Sequence, residues 1–153
     1  MDLRLEVVII PVSDVDRAKK FYEEALGFRV DVDYSAATYE EALGFRHRGA
    51  ASYRIVQLTP PGSGCSIQIG TGLTQATPGA YQGLYLVTSD LKATRAELVE
   101  RGVEVSEPFH FGPEGQTPGL DSGRNSYNSF ASFSDPDGNG WLIQEIKVRA
   151  PGR

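Results

Sequence analysis

The sequence predicts an α+β fold built from two pseudo-symmetric βαβββ modules, and three observations lead there. Two Pro/Gly-rich turns recur, Pro60-Pro61-Gly62-Ser63-Gly64 and Asp135-Pro136-Asp137-Gly138-Asn139-Gly140, with Pro136 following Pro60 by 76 residues. Two Ser-Asp pairs, Ser13-Asp14 and Ser89-Asp90, stand at the same separation of 76 residues, each just ahead of a helical pattern. Each pattern then ends on a glycine, Gly27 and Gly102, the residue that accepts the left-handed conformation after a helix. Matches at one offset point to an internal repeat. Neither half holds enough apolar residues to close a core alone, so the halves are expected to pack together, their curved sheets enclosing a cleft.

In chain order, Leu5 to Val12 is a Val/Ile-rich run that reads as a buried strand. Asp14 to Leu26 has helical spacing, with Val15, Ala18, Phe21, Tyr22 and Ala25 as the apolar stripe. Phe28 to Asp33, Tyr53 to Thr59 and Cys65 to Gly70 are the next strands, the last two joined by the first Pro/Gly turn. Between them, Tyr22-Glu23-Glu24-Ala25-Leu26-Gly27-Phe28-Arg29 recurs unchanged as Tyr39-Glu40-Glu41-Ala42-Leu43-Gly44-Phe45-Arg46; the second copy permits only a short turn of helix. The first module spans 4–70, a Gly/Thr/Gln/Pro linker covers 71–81, and the second module covers 82–148. In that second module Gly83 to Thr88 is a strand, Asp90 to Arg101 a helix and Val103 to Ser106 a strand. Glu107 to Asn128 is a long loop of the kind that serves as a functional lid. Ser129 to Ser134 and Trp141 to Val148 form a hairpin around Asn139-Gly140.

Composition narrows the function classes. Hydrophobic residues make up 40% and charged residues 23% of the 153, the balance of a globular domain. The net charge of −5 and the lack of a basic run speak against nucleic acid as a partner. The single cysteine, Cys65, has no internal disulfide partner, which fits a reducing cytoplasm. Met1 to Glu6 carries two acids and does not resemble a signal peptide, and no apolar run reaches the ~20 residues that span a bilayer. Phosphate-cradling, dinucleotide and nucleophile-elbow motifs are missing from the sequence.

Val8-Ile9-Ile10-Pro11-Val12-Ser13-Asp14, the helix through Phe21-Tyr22, Leu26-Gly27-Phe28 and the closing Asp135-Pro136-Asp137-Gly138-Asn139 together resemble the vicinal oxygen chelate superfamily. That group includes glyoxalase I, the extradiol dioxygenases, and the bleomycin and fosfomycin resistance proteins. The resemblance covers nearly the whole chain apart from 34–51 and 107–128. It implies βαβββ modules cupped around a ligand cavity, the glyoxalase/bleomycin resistance/dioxygenase-like fold, and a homodimer. It also implies a divalent metal held by His and Glu from the first and last strand of each module. Seven residues before each capping aspartate stand Val7 and Gly83, and the last-strand positions hold Gln68 and Gln144. A shift of one or two residues brings in Glu6, Ile9, Tyr85 or Glu145, and still assembles no set of two histidines and a glutamate. The expectation is therefore a protein without the usual metal and without another cofactor.

Strand alternation places Gln68, Ser66 and Gln144 on the face opposite Cys65, Ile67, Trp141 and Ile143. Those glutamines, with Ser66 and Tyr85, are the candidate ligand contacts; their alternative role is to hydrogen-bond neighbouring strands. Glu145 and Trp141 share the other parity; Glu145 reads as structural or as part of the rim, and Trp141 as core rather than a stacking platform. His110, between Phe109 and Phe111, and Tyr85 are the candidates for acid–base catalysis. His47 lies between Arg46 and Arg48 and reads as surface. Cys65 reads as a small buried hydrophobe. Three functions stay open at this point. One is a metal-free protein binding a small aromatic or amphipathic molecule. The second is a lyase or dioxygenase-like enzyme with a displaced site, and the third a structural or regulatory module.

Overall fold

Among the described residues, two α-helices begin where the Ser-Asp pairs stand, because each aspartate satisfies a backbone N–H that the first turn leaves without a partner. Asp14 accepts from Arg17 N at 3.0 Å and Asp90 from Ala93 N at 3.1 Å. The computed structural model describes residues 1–36 and 53–152. The second copy of the duplicated octapeptide, and His47, lie outside the described residues. The chain forms two compact units, 1–81 with 136–139, and 82–135 with 140–153.

In the first unit, β1 (Val7–Ile9), β2 (Arg29–Ala36), β3 (Tyr53–Thr59) and β4 (Ser66–Gly70) form a sheet ordered β1-β4-β3-β2, with β1 parallel to β4 and the rest antiparallel. The helix α1 (Val15–Lys20) lies against β4 and runs directly into a π-helical turn, Phe21–Ala25. The predicted single helix is thus two segments, and Gly27, at φ 73°, ends them. One sheet face packs under the helix. Val56, Leu58, Ile67 and Ile69 are buried there with Ala18, Tyr22 and Phe28. β2 runs three residues beyond the predicted Asp33 and carries a bulge between Val30 and Val32.

The turn 136–139 is seated in this unit. Asn139, fully buried, donates to Pro11 O at 2.9 Å and accepts from Tyr81 N at 3.1 Å. Asp137 accepts from the Ser13 backbone N–H at 3.1 Å and pairs with Arg17 at 3.2 Å. Gly79, at φ 82°, lies so close that an added Cβ would stand 2.1 Å from Asp137 O.

In the second unit, β5 (Leu84–Thr88), β6 (Phe109–Gly112), β7 (Gly115–Pro118), β8 (Phe130–Ser134) and β9 (Gly140–Glu145) form a sheet ordered β5-β9-β8-β6-β7. Helix α2 (Leu91–Glu100) covers one face, burying Leu91 and Leu98, while Trp141, Ile143, Ala131 and Phe133 are buried on that side of the sheet. Phe133 and Trp141 stack with centroids 6.2 Å apart. Trp141 is a core residue, as its strand parity predicts.

Two expectations are corrected here. Val103 to Ser106 is not a strand. Its one backbone ladder bond runs from Ser106 N to Ser132 O at 2.8 Å, and the Ser106 hydroxyl takes the reciprocal Ser132 N at 2.9 Å. The segment 107–128 is not one long loop, because it contains the β6–β7 hairpin. Its turn closes on Gly115 at φ 99°, and Pro118 sits on an edge strand where a missing N–H costs nothing. The Gly/Pro content that reads as loop is the content a tight hairpin at a sheet edge requires.

Candidate functional site

The face of the second sheet opposite α2 carries the most developed site. Alternation places Tyr85 and Val87 of β5, Leu142 and Gln144 of β9, Phe130 and Ser132 of β8, and Phe109 and Phe111 of β6 on this face. Phe109 and Phe130 stack at 5.7 Å, and Phe111 meets both edge-on at 6.0 and 5.5 Å. Such pairs each add about 0.5–1.5 kcal/mol beyond area burial. Yet Phe111 stays 52% exposed and Tyr85 57%. Large apolar side chains left in contact with water on a preformed aromatic surface are a binding signature. Two adjoining depressions, of about 640 and 370 Å³, share Ser106 and Ser132 and run past the cluster from Gly83 and Leu142 to Phe109 and Pro118; Phe111, Phe130, Tyr85 and Gln144 line neither.

Gln144 stands opposite Phe130 in the ladder, so the amide lies beside the aromatic cluster. Its Nε2 donates to Tyr127 O at 3.0 Å. The loop that supplies this carbonyl is strained, with Arg124 at φ 48° and Tyr127 at φ 74°. Glu145, fully buried, holds it in place. Arg124 donates to its two carboxylate oxygens at 2.9 and 2.6 Å, Leu91 N donates at 2.8 Å, and Tyr127 N reaches Glu145 O at 2.8 Å. The Arg124 guanidinium keeps the Glu145 carboxyl below the usual carboxylate range despite its burial. Asp121 closes the other end, accepting from Asn125 N at 2.9 Å, Asn125 Nδ2 at 2.8 Å and Asn128 Nδ2 at 3.1 Å. Asn128 in turn accepts from Phe111 N at 3.3 Å.

The corresponding face of the first sheet is polar at its centre. Gln68 Nε2 donates to Gln57 Oε1 at 2.9 Å, Ser66 and Thr59 share a hydrogen bond of 2.7 Å, and Thr59 also bonds Asp31. Gln68 thus takes the neighbouring-strand role. Ser66 is buried, and Val32 and Tyr34 are the exposed apolar residues at this sheet's edge.

Of the residues named from sequence, Tyr85 and Gln144 fall on one face, on the adjacent strands β5 and β9. His110 does not join them. It alternates with Phe109 and Phe111, so it points to the other side of β6, where Nδ1 meets Gly119 O at 2.8 Å. β6 is also three strands from β5, about 14 Å at the usual spacing. The pair His110 and Tyr85 therefore shares no acid–base site. Cys65 is only half-buried, ahead of β4, and burial and the Glu6 charge push its thiol pKa up rather than activating it. Sequence reasoning missed Arg124, Tyr127 and the aromatic cluster. The alternation Phe109-His110-Phe111 was a visible strand signal, whereas no local pattern announces Arg124 as the partner of Glu145.

The positions where a family metal would be held do not supply its donors. Val7 has none, and the ladder makes Tyr85, rather than Gly83, the counterpart of Val7: Val7 pairs with Ser66, and Tyr85 pairs with Leu142, 76 residues after Ser66. Gln68 and Gln144 present neutral amides that are already hydrogen-bonded. Among the described residues no group of three or more His, Cys, Asp or Glu could hold an ion.

A model of the Glyoxalase/Bleomycin resistance protein/Dioxygenase superfamily matches residues 4–143. No curated protein matches the chain. Among solved structures it is similar to TnmS3, an antibiotic binding protein from Streptomyces sp. CB03234, at 28% identity and TM-score 0.66, over 95% of this chain and 97% of that one. A glyoxalase/bleomycin resistance protein from the same Streptomyces strain is 30% identical with TM-score 0.63, over 93% of this chain and 100% of that one. A superfamily member from Sphaerobacter thermophilus DSM 20745 is 27% identical with TM-score 0.63, over 94% and 98%. The helix caps, the matched turns and the two sheets have the same explanation: this chain belongs to the glyoxalase/bleomycin resistance protein/dioxygenase superfamily.

Proposed function

We propose that the protein binds a small aromatic or amphipathic molecule on the open face of the second sheet and sequesters it without a resident metal. The observation that carries this reading is the cluster of Phe109, Phe111 and Phe130, with Gln144 beside it in the ladder and Phe111 left half-exposed. An aromatic face with a few polar groups recognises a flat apolar molecule by stacking and fixes its orientation by hydrogen bonds. Sequestration needs no nucleophile, base or metal, which agrees with the amides and apolar residues at the family's ligand positions. The similarity to an antibiotic binding protein supports a small-molecule ligand. We place the protein in the cytoplasm, in keeping with its single cysteine, and infer that it acts as a homodimer.

Thermal unfolding against a panel of fused-ring aromatic compounds tests the reading. A compound present at 100 times its Kd adds about 2.7 kcal/mol of stability. Phe111→Ala removes an exposed ring, so it should leave the free protein folded and abolish that stabilisation. If no aromatic compound stabilises the protein, or if stabilisation survives in Phe111→Ala, the site is elsewhere.

A further inference from the structure

The polarity of Gln144 specifies more than an aromatic ligand. A backbone carbonyl only accepts, so the Gln144 atom 3.0 Å from Tyr127 O must be the NH2 group whichever way the amide is drawn. The side-chain oxygen is then the free end. Gln144 is half-buried, and among the described residues its Oε1 has no donor. It lies between Phe130 and Val87 on the open face, beside the rings that would stack on a ligand. A flexible glutamine amide usually offers a donor or an acceptor by turning over. This one cannot turn without setting Oε1 against the Tyr127 carbonyl.

The loop makes that restriction permanent. Tyr127 holds φ 74°, a conformation rare for a residue with a side chain, and it is pinned on three sides. Its N–H bonds Glu145 O at 2.8 Å, its hydroxyl accepts from Ala150 N at 2.7 Å, and the loop is clamped by Arg124 on the buried Glu145. Glu145 follows Gln144 directly on β9, so one strand carries both the anchor and the group it orients. The backbone strain, the buried ion pair and the amide bond converge on one result: the NH2 of Gln144 is held on Tyr127 O, and its carbonyl oxygen is left as the acceptor on a residue paired with Phe130.

Resting on the aromatic-site reading above, we propose that Gln144 is a specificity-determining hydrogen-bond acceptor, and that the site selects aromatic molecules bearing a hydroxyl or other N–H or O–H donor. A ligand offering only acceptors would leave Oε1 desolvated and unpaired, and a site built for a donor rejects such an analogue strongly.

The test compares 2-naphthol with 2-methoxynaphthalene by calorimetry or NMR titration. The two share a ring system, and the ether, the more apolar of the pair, would bind tighter if stacking alone decided. The expected result is about tenfold tighter binding of the naphthol by the wild-type protein, the size of one good net hydrogen bond. In Gln144→Leu the preference should vanish, the naphthol weakening as it loses its acceptor and the ether tightening as the unpaired oxygen is removed. Equal affinities in the wild type, or a naphthol preference that persists in Gln144→Leu, would overturn the acceptor role and leave the aromatic site standing. If neither compound binds, the aromatic site itself is wrong, and this inference falls with it. The wild-type comparison stands without the variant should Gln144→Leu fold poorly.

Discussion

Glu145 is a fully buried carboxylate, and such a group persists only if it is paired. Arg124 supplies the charge and Leu91 N a further donor, so α2, β9 and the loop 121–128 meet at one side chain. Arg124→Ala should cost about 2–3 kcal/mol in urea unfolding, less than a wholly buried pair because Arg124 is itself partly solvated. The Glu145 carboxyl is depressed mainly by Arg124, so its contribution is full above the usual carboxylate pKa and fades as the pH falls through the lowered one. Arg124→Ala should therefore also lessen the loss of stability on acidification. Strand parity alone put Glu145 on the Trp141 side, with a structural or rim role, and the structure makes it structural by burying it fully. What parity lacked was the partner, because Arg124 reaches it from an irregular loop 21 residues away. His110→Ala, by contrast, is expected to leave aromatic-ligand affinity unchanged, since its ring turns away from the open face.

At the scale of elements, α1 is fastened to the edge of the first sheet by charge. Asp33 on β2 takes both Arg54, at 3.1 and 3.0 Å, and Lys19, at 3.0 Å, and Arg54 also pairs with Asp16 at the start of the helix. Arg54 and Lys19 lower the Asp33 carboxyl from 3.8 to about 2. A depressed carboxyl contributes its stability above the unfolded pKa and loses it as the pH falls through the folded one. Acid unfolding should thus steepen between about pH 4 and 2, and Asp33→Asn should flatten that part of the profile. The seat of the 136–139 turn is an element held by shape instead. Gly79→Ala would drive a methyl against Asp137 O in a positive-φ conformation, so a lower thermal midpoint is expected, with a larger loss than at Gly62, where an added Cβ meets open space. The matched turns and caps were legible as repeats because each depends on neighbours in sequence. The β6–β7 hairpin was not, because its Gly and Pro content outweighed two strands of only four residues.

For the whole molecule, the family is shown by the match over residues 4–143, and the proposed loss of its metal is open to measurement. Metal analysis of protein purified without chelator is expected to find less than stoichiometric Fe, Mn, Ni or Zn, and stoichiometric metal would remove the sequestration reading. Light scattering is expected to give twice the 16.6 kDa of the chain; a monomer would refute the dimer. The sequence by itself determined the α+β class, the repeat, the helix limits at Gly27 and Gly102, and the face on which Gln68, Gln144 and Tyr85 lie. All of these follow from spacing along the chain, which turn chemistry, capping and strand alternation read locally. Only the tertiary structure decided what each amide bonds. Gln68 Nε2 donates to Gln57 across a strand pair, while Gln144 Nε2 donates to the Tyr127 carbonyl on a loop. It also set Tyr85 in the place that counting along the chain assigned to Gly83, and separated His110 from Tyr85. The physical reason is common to all three. Hydrogen-bond partners and ladder register are set by residues distant in sequence, and no local pattern encodes them.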